Sequence, residues 1–178
     1  VDVITSQAIN WLKNRKKQTA PYCLMLHFKS VHEPFYGPER YRWLYKGEEL
    51  PEPRDLLWDE SPKNKVFHGW PLEILMDRFL ERPERYAPPP LKLNTTDHDT
   101  ERRATYQKFI KDYLRAVAGI DDNIGRVMQY LEKTGHTEKT VVIYTSDQGY
   151  FLGEHNLFDK RFMLEESLRM PFIIRYPK

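Results

Sequence analysis

Asp147 and Gln148 are two oxygen donors on a glycine-containing turn that directly follows the apolar run 140–146. Carboxylate and amide oxygens suit Ca²⁺ or Mg²⁺ better than Zn²⁺. Two donors are too few for Ca²⁺, which takes about six to eight oxygen ligands, so further ligands have to come from elsewhere. The tripeptide that ends at Gly149 also has an ordinary interpretation as a turn without any metal.

Four basic side chains could work beside these donors. Lys29 and His32 follow a second apolar run, 22–28, and His155 and Lys160 come shortly after the donor turn. Ligands of open α/β sheets collect outside the carboxyl ends of the strands, so these side chains are candidates for one site. Each also has a simpler interpretation, with His32 as a packing histidine and Lys160 as half of a solvated charge pair.

Apolar periodicity predicts the elements that position these residues. The predicted elements are helices over 3–17 and 101–133, the second ending at Gly135, and strands over 22–28, 140–146 and 171–176. Their order is typical of the α/β class. The nearly continuous apolar run 22–28 indicates a strand buried on both faces, as in parallel sheets. Gly119 and Gly125 inside the long helix predict a bend or close packing.

Residues 36–98 differ in kind from the rest of the chain. They hold most of the 13 prolines and three of the four tryptophans. Because disordered segments are poor in aromatic residues, this composition argues against disorder. We predict a long irregular insertion that packs on the domain and contains a short helix over 72–80, ending before Pro83.

Composition excludes several classes of function. A total of 28 Lys and Arg against 26 Asp and Glu leaves +2, which indicates neither a nucleic acid nor an anionic membrane as partner. The single cysteine, Cys23, excludes a disulfide framework and a cysteine-cluster metal site, and we predict that it is a core thiol, with His27 a core histidine. The longest apolar stretch, 22–26, is too short to span a bilayer. Three further histidines are expected on the surface: His68, His98 and His136.

Several motifs occur in a fixed order along the chain. They are residues 28–35 (Phe-Lys-Ser-Val-His-Glu-Pro-Phe), 118–125, 145–149 (Thr-Ser-Asp-Gln-Gly), 153–155 (Gly-Glu-His), Lys160, and 165–172 (Glu-Glu-Ser-Leu-Arg-Met-Pro-Phe). In this order and spacing they resemble the sulfatase family of the alkaline phosphatase-like superfamily, and within it bacterial sulfatases that act on sulfated sugars. The resemblance spans nearly the whole chain apart from 36–98. It implies a mostly parallel or mixed sheet flanked by helices.

The resemblance implies a metal site at the donor turn. Asp147 and Gln148 would be ligands of the Ca²⁺ ion that neutralises the sulfate group, and Mg²⁺ also fits the donor set. Gln148 departs from the Asn or His that the family usually has at this position. Its carbonyl can still coordinate, but the extra methylene shifts its reach, so the ligand assignment is firmer for Asp147.

The resemblance also implies roles for the basic residues. His32 would contact the sulfate ester and protonate the leaving alkoxide as a general acid. Lys160 would hold a sulfate oxygen and the bridging oxygen, where negative charge grows in the transition state. Lys29 and His155 would not contact the sulfate group and would orient the residues that do.

Parts of the family's active site are missing from the sequence. The family nucleophile is a formylglycine made from a Cys/Ser-x-Pro/Ala-x-Arg motif, and Cys23 is followed by Leu-Met-Leu-His instead. The paired acidic metal ligands of the first strand and a Gly-Lys-Trp-His segment are also missing. We therefore interpret residues 1–178 as part of a sulfatase catalytic domain that carries about half of the active site. The nucleophile is expected in an N-terminal part, and the isolated chain is expected to be inactive.

The resemblance implies two partners, a sulfated small molecule or glycan and the remainder of the sulfatase chain. It also implies that the protein resides in the periplasm or outside the cell. Two other functions stay open. One is a phosphoric or phosphonic monoester or diester hydrolase of the same superfamily, because a metal-bound anion clamp serves phosphoryl and sulfuryl groups alike. The other is a non-catalytic module that binds sulfated ligands. The residue at the nucleophile position would separate these possibilities.

Overall fold

A computed structural model describes residues 1–15, 19–58 and 70–177. Its helices are α1 (Asp2–Asn14), α2 (Leu72–Glu81), α3 (His98–Lys133) and α4 (Glu165–Leu168). Its strands are β1 (Val142–Thr145), β2 (Phe151–Leu152), β3 (Phe158–Asp159) and β4 (Phe172–Arg175). Helices and strands are both present in the described residues, as the predicted α/β class requires. No helix of the described ranges is long and apolar enough to cross a membrane.

The long helix α3 is the central element of the structure, and it confirms the prediction for 101–133. The side chain of Asp97 caps its first turn by accepting a hydrogen bond from the Thr100 backbone N–H at 3.0 Å. Its buried face holds Tyr106, Phe109 and eight other residues. Gly135, with φ of 69°, follows its last turn, as its sequence position predicts.

The two glycines of α3 differ in their surroundings. A Cβ atom at Gly119 would lie 2.5 Å from Cδ of Pro38, whereas no atom of the described residues lies within 4 Å of such an atom at Gly125. Close packing is therefore confirmed at Gly119 and not observed at Gly125. The segment around Pro38 is also held by Arg40, which donates to Asp2 at 2.8 Å and to Asp122 at 2.5 Å. These contacts fix the start of the 36–98 segment on α1 and α3.

The hydrophobic core lies between α3 and the 36–98 segment. Helix α2 confirms the helix predicted over 72–80, and it buries Leu72, Leu75 and Phe79. The buried cluster draws on the segment, on α3, on the β2–β3 hairpin and on Phe35 just before the segment: Phe35, Leu56, Leu72, Leu75, Phe79, Tyr86, Tyr106, Phe109, Ile110 and Phe158. The 36–98 segment therefore packs on α3 and supplies half of this cluster; residues 59–69 lie outside the described ranges.

Helix α1 confirms the first predicted helix over 2–14 and packs on α3. Ala8 and Leu12 of the predicted face are buried. Trp11 is 39% exposed and stacks edge-on against Tyr22 at 5.5 Å. The predicted end of this helix, near Lys17, lies outside the described residues.

The strands of the described residues pair only in antiparallel fashion, as β1 with β4 and β2 with β3. Strands β1 and β4 confirm the predicted strands at 140–146 and 171–176. The prediction for 22–28 is wrong here, because this segment has no regular secondary structure and pairs with no strand in the described ranges. From Cys23 to Phe28 its side chains alternate between exposed and half-buried. Cys23 and His27 are exposed, which corrects the predicted core thiol and core histidine.

Two of the three histidines that we expected on the surface lie in the described residues. His98 has a side chain that is 85% exposed, and His136 is exposed as well. Both predictions are confirmed. His68 lies outside the described residues.

Candidate active site

The donor turn begins where β1 ends. Asp147 is exposed and Gln148 is half-buried. The Ser146 hydroxyl donates to the Gln148 backbone carbonyl at 2.7 Å, and the Gly149 N–H donates to the Ser167 carbonyl at 2.8 Å. Two hydrogen bonds therefore fix the backbone of the turn that presents the two oxygen donors.

Gly149 lies against the backbone of the 165–172 run. A Cβ atom at this position would lie 2.1 Å from the Glu166 carbonyl oxygen and 2.8 Å from that of Arg169. No side chain fits in this space, so the contact between the donor turn and the run requires glycine. This packing explains the glycine at the third position of the turn.

Ser167 joins the donor turn to the turn that carries Lys160. Ser167 is 7% exposed, and its hydroxyl oxygen accepts a hydrogen bond from the Arg161 N–H at 3.2 Å. Its carbonyl accepts the hydrogen bond of Gly149. One buried residue of α4 thus holds both turns, and the Glu-Glu-Ser motif has a structural reason to accompany the other motifs.

Lys160 is mostly buried, with a side chain that is 20% exposed. Its Nζ lies 3.7 Å from the Asp159 carboxylate and 5.9 Å from the centre of the Tyr150 ring. Arg161 donates to the same carboxylate at 3.1 Å and lies over the ring of Trp70 at 4.9 Å. The two adjacent cations therefore flank Asp159, and Lys160, unlike Arg161, has a mostly buried side chain.

Tyr150 connects Lys160 to the loop of His32. Its ring packs on Tyr113 at 5.8 Å. Burial raises the pKa of the Tyr150 phenol above its usual value, and the carboxylates of Asp159 and Glu33 raise it further. The residue before Lys160 and the residue after His32 therefore both disfavour ionisation of the same phenol.

His32 is exposed, and its Nδ1 lies 2.9 Å from the Glu33 carbonyl oxygen. A carbonyl oxygen can only accept, so Nδ1 carries the hydrogen and Nε2 is the nitrogen left to meet a ligand. The His32 N–H donates to the Lys29 carbonyl at 3.1 Å. Lys29 is itself exposed, and it holds this loop through its backbone carbonyl.

Glu33 anchors the His32 loop to the core. Its carboxylate accepts a hydrogen bond from Arg78 of α2 at 2.6 Å and another from the phenol of Tyr86. The sequence patterns indicate no functional role for Glu33, Arg78, Tyr86 or Tyr150. The acidic residue inside motif 28–35 could have indicated a role for Glu33. Its partners could not be identified from the local pattern, because they lie 45 and 53 positions away.

His155 lies between two carboxylates from different parts of the chain. Its Nδ1 is 2.6 Å from Asp55 of the insertion, and its Nε2 is 3.7 Å from Glu166 of α4. The ring also meets Trp58 edge-on at 5.7 Å. His155 thus ties the insertion to the run that supports the donor turn.

The donor chemistry fits a hard cation in part. Asp147 and Gln148 offer two oxygens, and within the described ranges no group of three or more His, Cys, Asp or Glu side chains could hold a metal ion. A complete Ca²⁺ shell of about six to eight oxygens would need further ligands beyond these two.

The sequence of this chain is similar to those of known proteins. The family model described as Sulfatase matches residues 1–178. An N-acetylglucosamine-6-O-sulfatase of Bacteroides thetaiotaomicron is 36% identical over 212 residues, which cover 99% of this chain and 38% of the relative. The multifunctional alkaline phosphatase superfamily protein PehA of Trinickia caryophylli is 32% identical, over 96% of this chain and 31% of that protein.

A solved structure has the same fold. The structure of BT4656 in complex with its substrate D-glucosamine-2-N,6-O-disulfate superposes with a TM-score of 0.80 at 33% identity, covering 99% of this chain and 42% of that one. The chain thus spans well under half the length of the relatives it matches. The family model covers every residue. The chain belongs to the sulfatase family.

Proposed function

We propose that the whole protein containing this chain is a sulfuric ester hydrolase that acts on a sulfated carbohydrate, and that the chain carries the general acid, an anion clamp and part of the metal site. The observation that carries the proposal is the double hydrogen bonding of Ser167, which joins the Asp147 turn to the Lys160 turn. The relatives that are named sulfatases support the same reaction class.

Lys160 is the proposed anion clamp. Its ammonium group is mostly buried and has one carboxylate at 3.7 Å, so much of its positive charge remains for an incoming anion. In low-dielectric surroundings such a charge stabilises a sulfuryl group more strongly as negative charge grows on the bridging oxygen.

His32 is the proposed general acid. Its Nδ1–H is used by the Glu33 carbonyl, which leaves Nε2 to carry a proton to the leaving alkoxide. Lys29, on the same loop, and His155, behind the donor turn, are proposed to orient these groups rather than to contact the sulfate group.

Asp147 and Gln148 are the residues of this chain that would hold a divalent cation, Ca²⁺ or Mg²⁺. Such an ion supplies positive charge that neutralises the sulfate group. The formylglycine nucleophile of the family is proposed to lie outside these residues. The exposed Cys23 lacks the required motif, so it is not the precursor.

The remainder of the sulfatase chain is the proposed cover for exposed apolar surface. Phe172, Ile173 and Ile174 of β4 are 67%, 63% and 50% exposed, and Met25 is 73% exposed. We propose that residues 1–178 are part of the catalytic domain, and that further strands complete a mostly parallel or mixed sheet. A periplasmic or extracellular location accords with the family.

Sulfate release tests the proposal. The whole protein, with Ca²⁺ present, should release inorganic sulfate from a 6-O-sulfated glucosamine, measured by ion chromatography. The isolated 178-residue chain should release none above a blank, because its sequence holds no nucleophile motif. Absence of sulfate release by the whole protein from sulfated sugars and from aryl sulfates would contradict the proposed function.

A second candidate is hydrolysis of phosphoric or phosphonic esters. It is favoured by the 32% identity to PehA, whose name places it in the same superfamily as a multifunctional protein. Release of phosphate or phosphonate at a higher kcat/KM than sulfate would select it. Binding of sulfated sugar without release of any product would instead indicate the non-catalytic module.

A further inference from the structure

We propose that Glu33, clamped by Arg78 and Tyr86, is a positioning residue that fixes the orientation and the tautomer of His32. The inference rests on the proposed function for its effect on catalysis, while its structural part concerns His32 alone. Glu33 acts through His32 and is given no contact with substrate.

The first step is the contact between the His32 ring and the Glu33 backbone. The distance from Nδ1 to the Glu33 carbonyl oxygen is 2.9 Å, and the acceptor can bind only an N–H. The ring is therefore neutral with its hydrogen on Nδ1, or doubly protonated. In both forms Nε2 is the nitrogen directed away from this contact. If the Glu33 carbonyl moved away, the hydrogen would no longer be held on Nδ1, because the exposed ring could then adopt either tautomer.

The second step is the clamp on the Glu33 side chain. The carboxylate is 17% exposed, and it accepts from Arg78 at 2.6 Å and from the Tyr86 phenol. Tyr86 is 3% exposed and packs edge-on against Phe79 of α2 at 4.8 Å. One partner is a cation and the other a buried donor, so the carboxylate is held at both oxygens.

The third step is the rigidity of Arg78. Its guanidinium lies 4.5 Å from the centre of the Trp70 ring and 5.6 Å from that of Phe158. Stacking on two aromatic rings restricts a side chain that otherwise has many rotamers. Pro34 follows Glu33 and restricts its backbone as well. The position of the Glu33 carbonyl is thus determined from the side chain and from the following residue.

The tautomer is measured by ¹⁵N NMR on the whole protein labelled in histidine, at a pH about 1.5 units above the ordinary histidine pKa, so that the ring is neutral. His32 is assigned by its loss in His32→Gln. Wild-type His32 should show the hydrogen on Nδ1. Glu33→Gln and Arg78→Met should show a mixture of tautomers, whereas Arg82→Met, a charge-matched control one residue beyond α2, should show the wild-type spectrum. Tyr86→Phe removes one hydrogen bond and keeps the ring, so it tests the clamp if the stronger variants fail to fold.

Kinetics give the second measurement. In Glu33→Gln, kcat on a sugar sulfate should fall about 10- to 100-fold while KM changes less than about threefold, because an oriented acid acts on the chemical step. An Nδ1–H tautomer that persists in Glu33→Gln, Arg78→Met and Tyr86→Phe would overturn the proposal. If the wild-type protein hydrolysed no sulfate ester, the proposed function would fail, and the tautomer result would still decide the positioning role.

Discussion

At the scale of single residues, the two proposed metal ligands of the donor turn differ in charge and in burial. Asp147 is a charged, exposed carboxylate, and Gln148 is a half-buried amide whose backbone carbonyl is already bound by Ser146. A carboxylate contributes charge as well as an oxygen to a Ca²⁺ site. The metal should therefore depend more on Asp147 than on Gln148.

Asp147→Ala in the whole protein should remove Ca²⁺ and activity together. We expect the Ca²⁺ affinity to fall at least about 10-fold, because a charged oxygen ligand is lost. Gln148→Asn, which restores the shorter amide usual in the family, should retain the metal. Calorimetric titration with Ca²⁺ gives both values. Asp121→Ala, at an exposed position of α3, serves as the control. Unchanged Ca²⁺ binding in Asp147→Ala would remove Asp147 from the ligand set.

At the scale of elements, α3 is the support on which the other segments pack. Its two glycines offer a matched comparison, since both lie in one helix and only Gly119 meets another segment. Alanine stabilises an exposed helix interior relative to glycine by about 1 kcal/mol. A methyl group forced against a neighbour costs about 1–3 kcal/mol instead.

Gly125→Ala should raise the free energy of unfolding by about 0.5–1 kcal/mol. Gly119→Ala should lower it by about 1–3 kcal/mol, because its methyl group would overlap Pro38. Urea denaturation followed by circular dichroism compares both variants with the parent. A stabilising effect of Gly119→Ala would mean that the segment around Pro38 moves aside at little cost.

Local pattern predicted the helices well and the first strand badly, for physical reasons. Helices α2 and α3 have periodic apolar faces, and each makes its hydrogen bonds within its own segment. A strand needs a partner, and the run 22–28 has none within the described residues. Its composition indicated burial that these residues alone do not supply.

Candidate site residues could be proposed from the sequence where they lie close together along the chain, as in the Asp147 turn and the Lys160 turn. The links between the turns could not. Ser167 binds Gly149 and Arg161 through its backbone and hydroxyl, and Glu33 meets Arg78 across 45 positions. Such contacts depend on tertiary packing, which no local pattern specifies.

At the scale of the whole molecule, buried tyrosines give the fold a dependence on alkaline pH. Burial is the largest cause that raises the pKa of four phenols: Tyr86, Tyr106, Tyr113 and Tyr150. Their folded pKa values lie above the unfolded value of about 10. The stability that they contribute is therefore fully present below pH of about 10 and is lost as the pH rises through the folded values.

The melting temperature should fall steeply above pH of about 10, and tyrosinate absorbance of the buried group should appear only with unfolding. Tyr150→Phe removes one such phenol. Its unfolding free energy should decline less steeply with pH, by up to about 1.4 kcal/mol per pH unit. Tyr176→Phe, at a position 75% exposed, should follow the parent. Identical slopes for all three proteins would show that Tyr150 ionises freely in the folded state.

We propose that His32 donates a proton and that Lys160 stabilises charge. The loss of activity on removing each side chain should depend differently on the leaving group, which separates the two roles. A sugar alkoxide needs a proton to leave, whereas a nitrophenolate does not. Loss of a general acid costs about 10²–10⁴-fold where protonation is needed. A cation on the sulfate group stabilises charge with every substrate, and its effect depends less on the leaving group.

The decisive measurement is kcat/KM of the whole protein and of His32→Ala, Lys160→Ala and the surface control His98→Ala, across sulfate esters with leaving groups of graded acidity. His32→Ala should lose about 10²–10⁴-fold on sugar sulfates and far less on nitrophenyl sulfate. Lys160→Ala should lose activity on every substrate, with less dependence on the leaving group than His32→Ala, and His98→Ala should match the parent. An equal loss in His32→Ala across the whole series would rule out its role as general acid, because His32 would then bind sulfate without donating a proton.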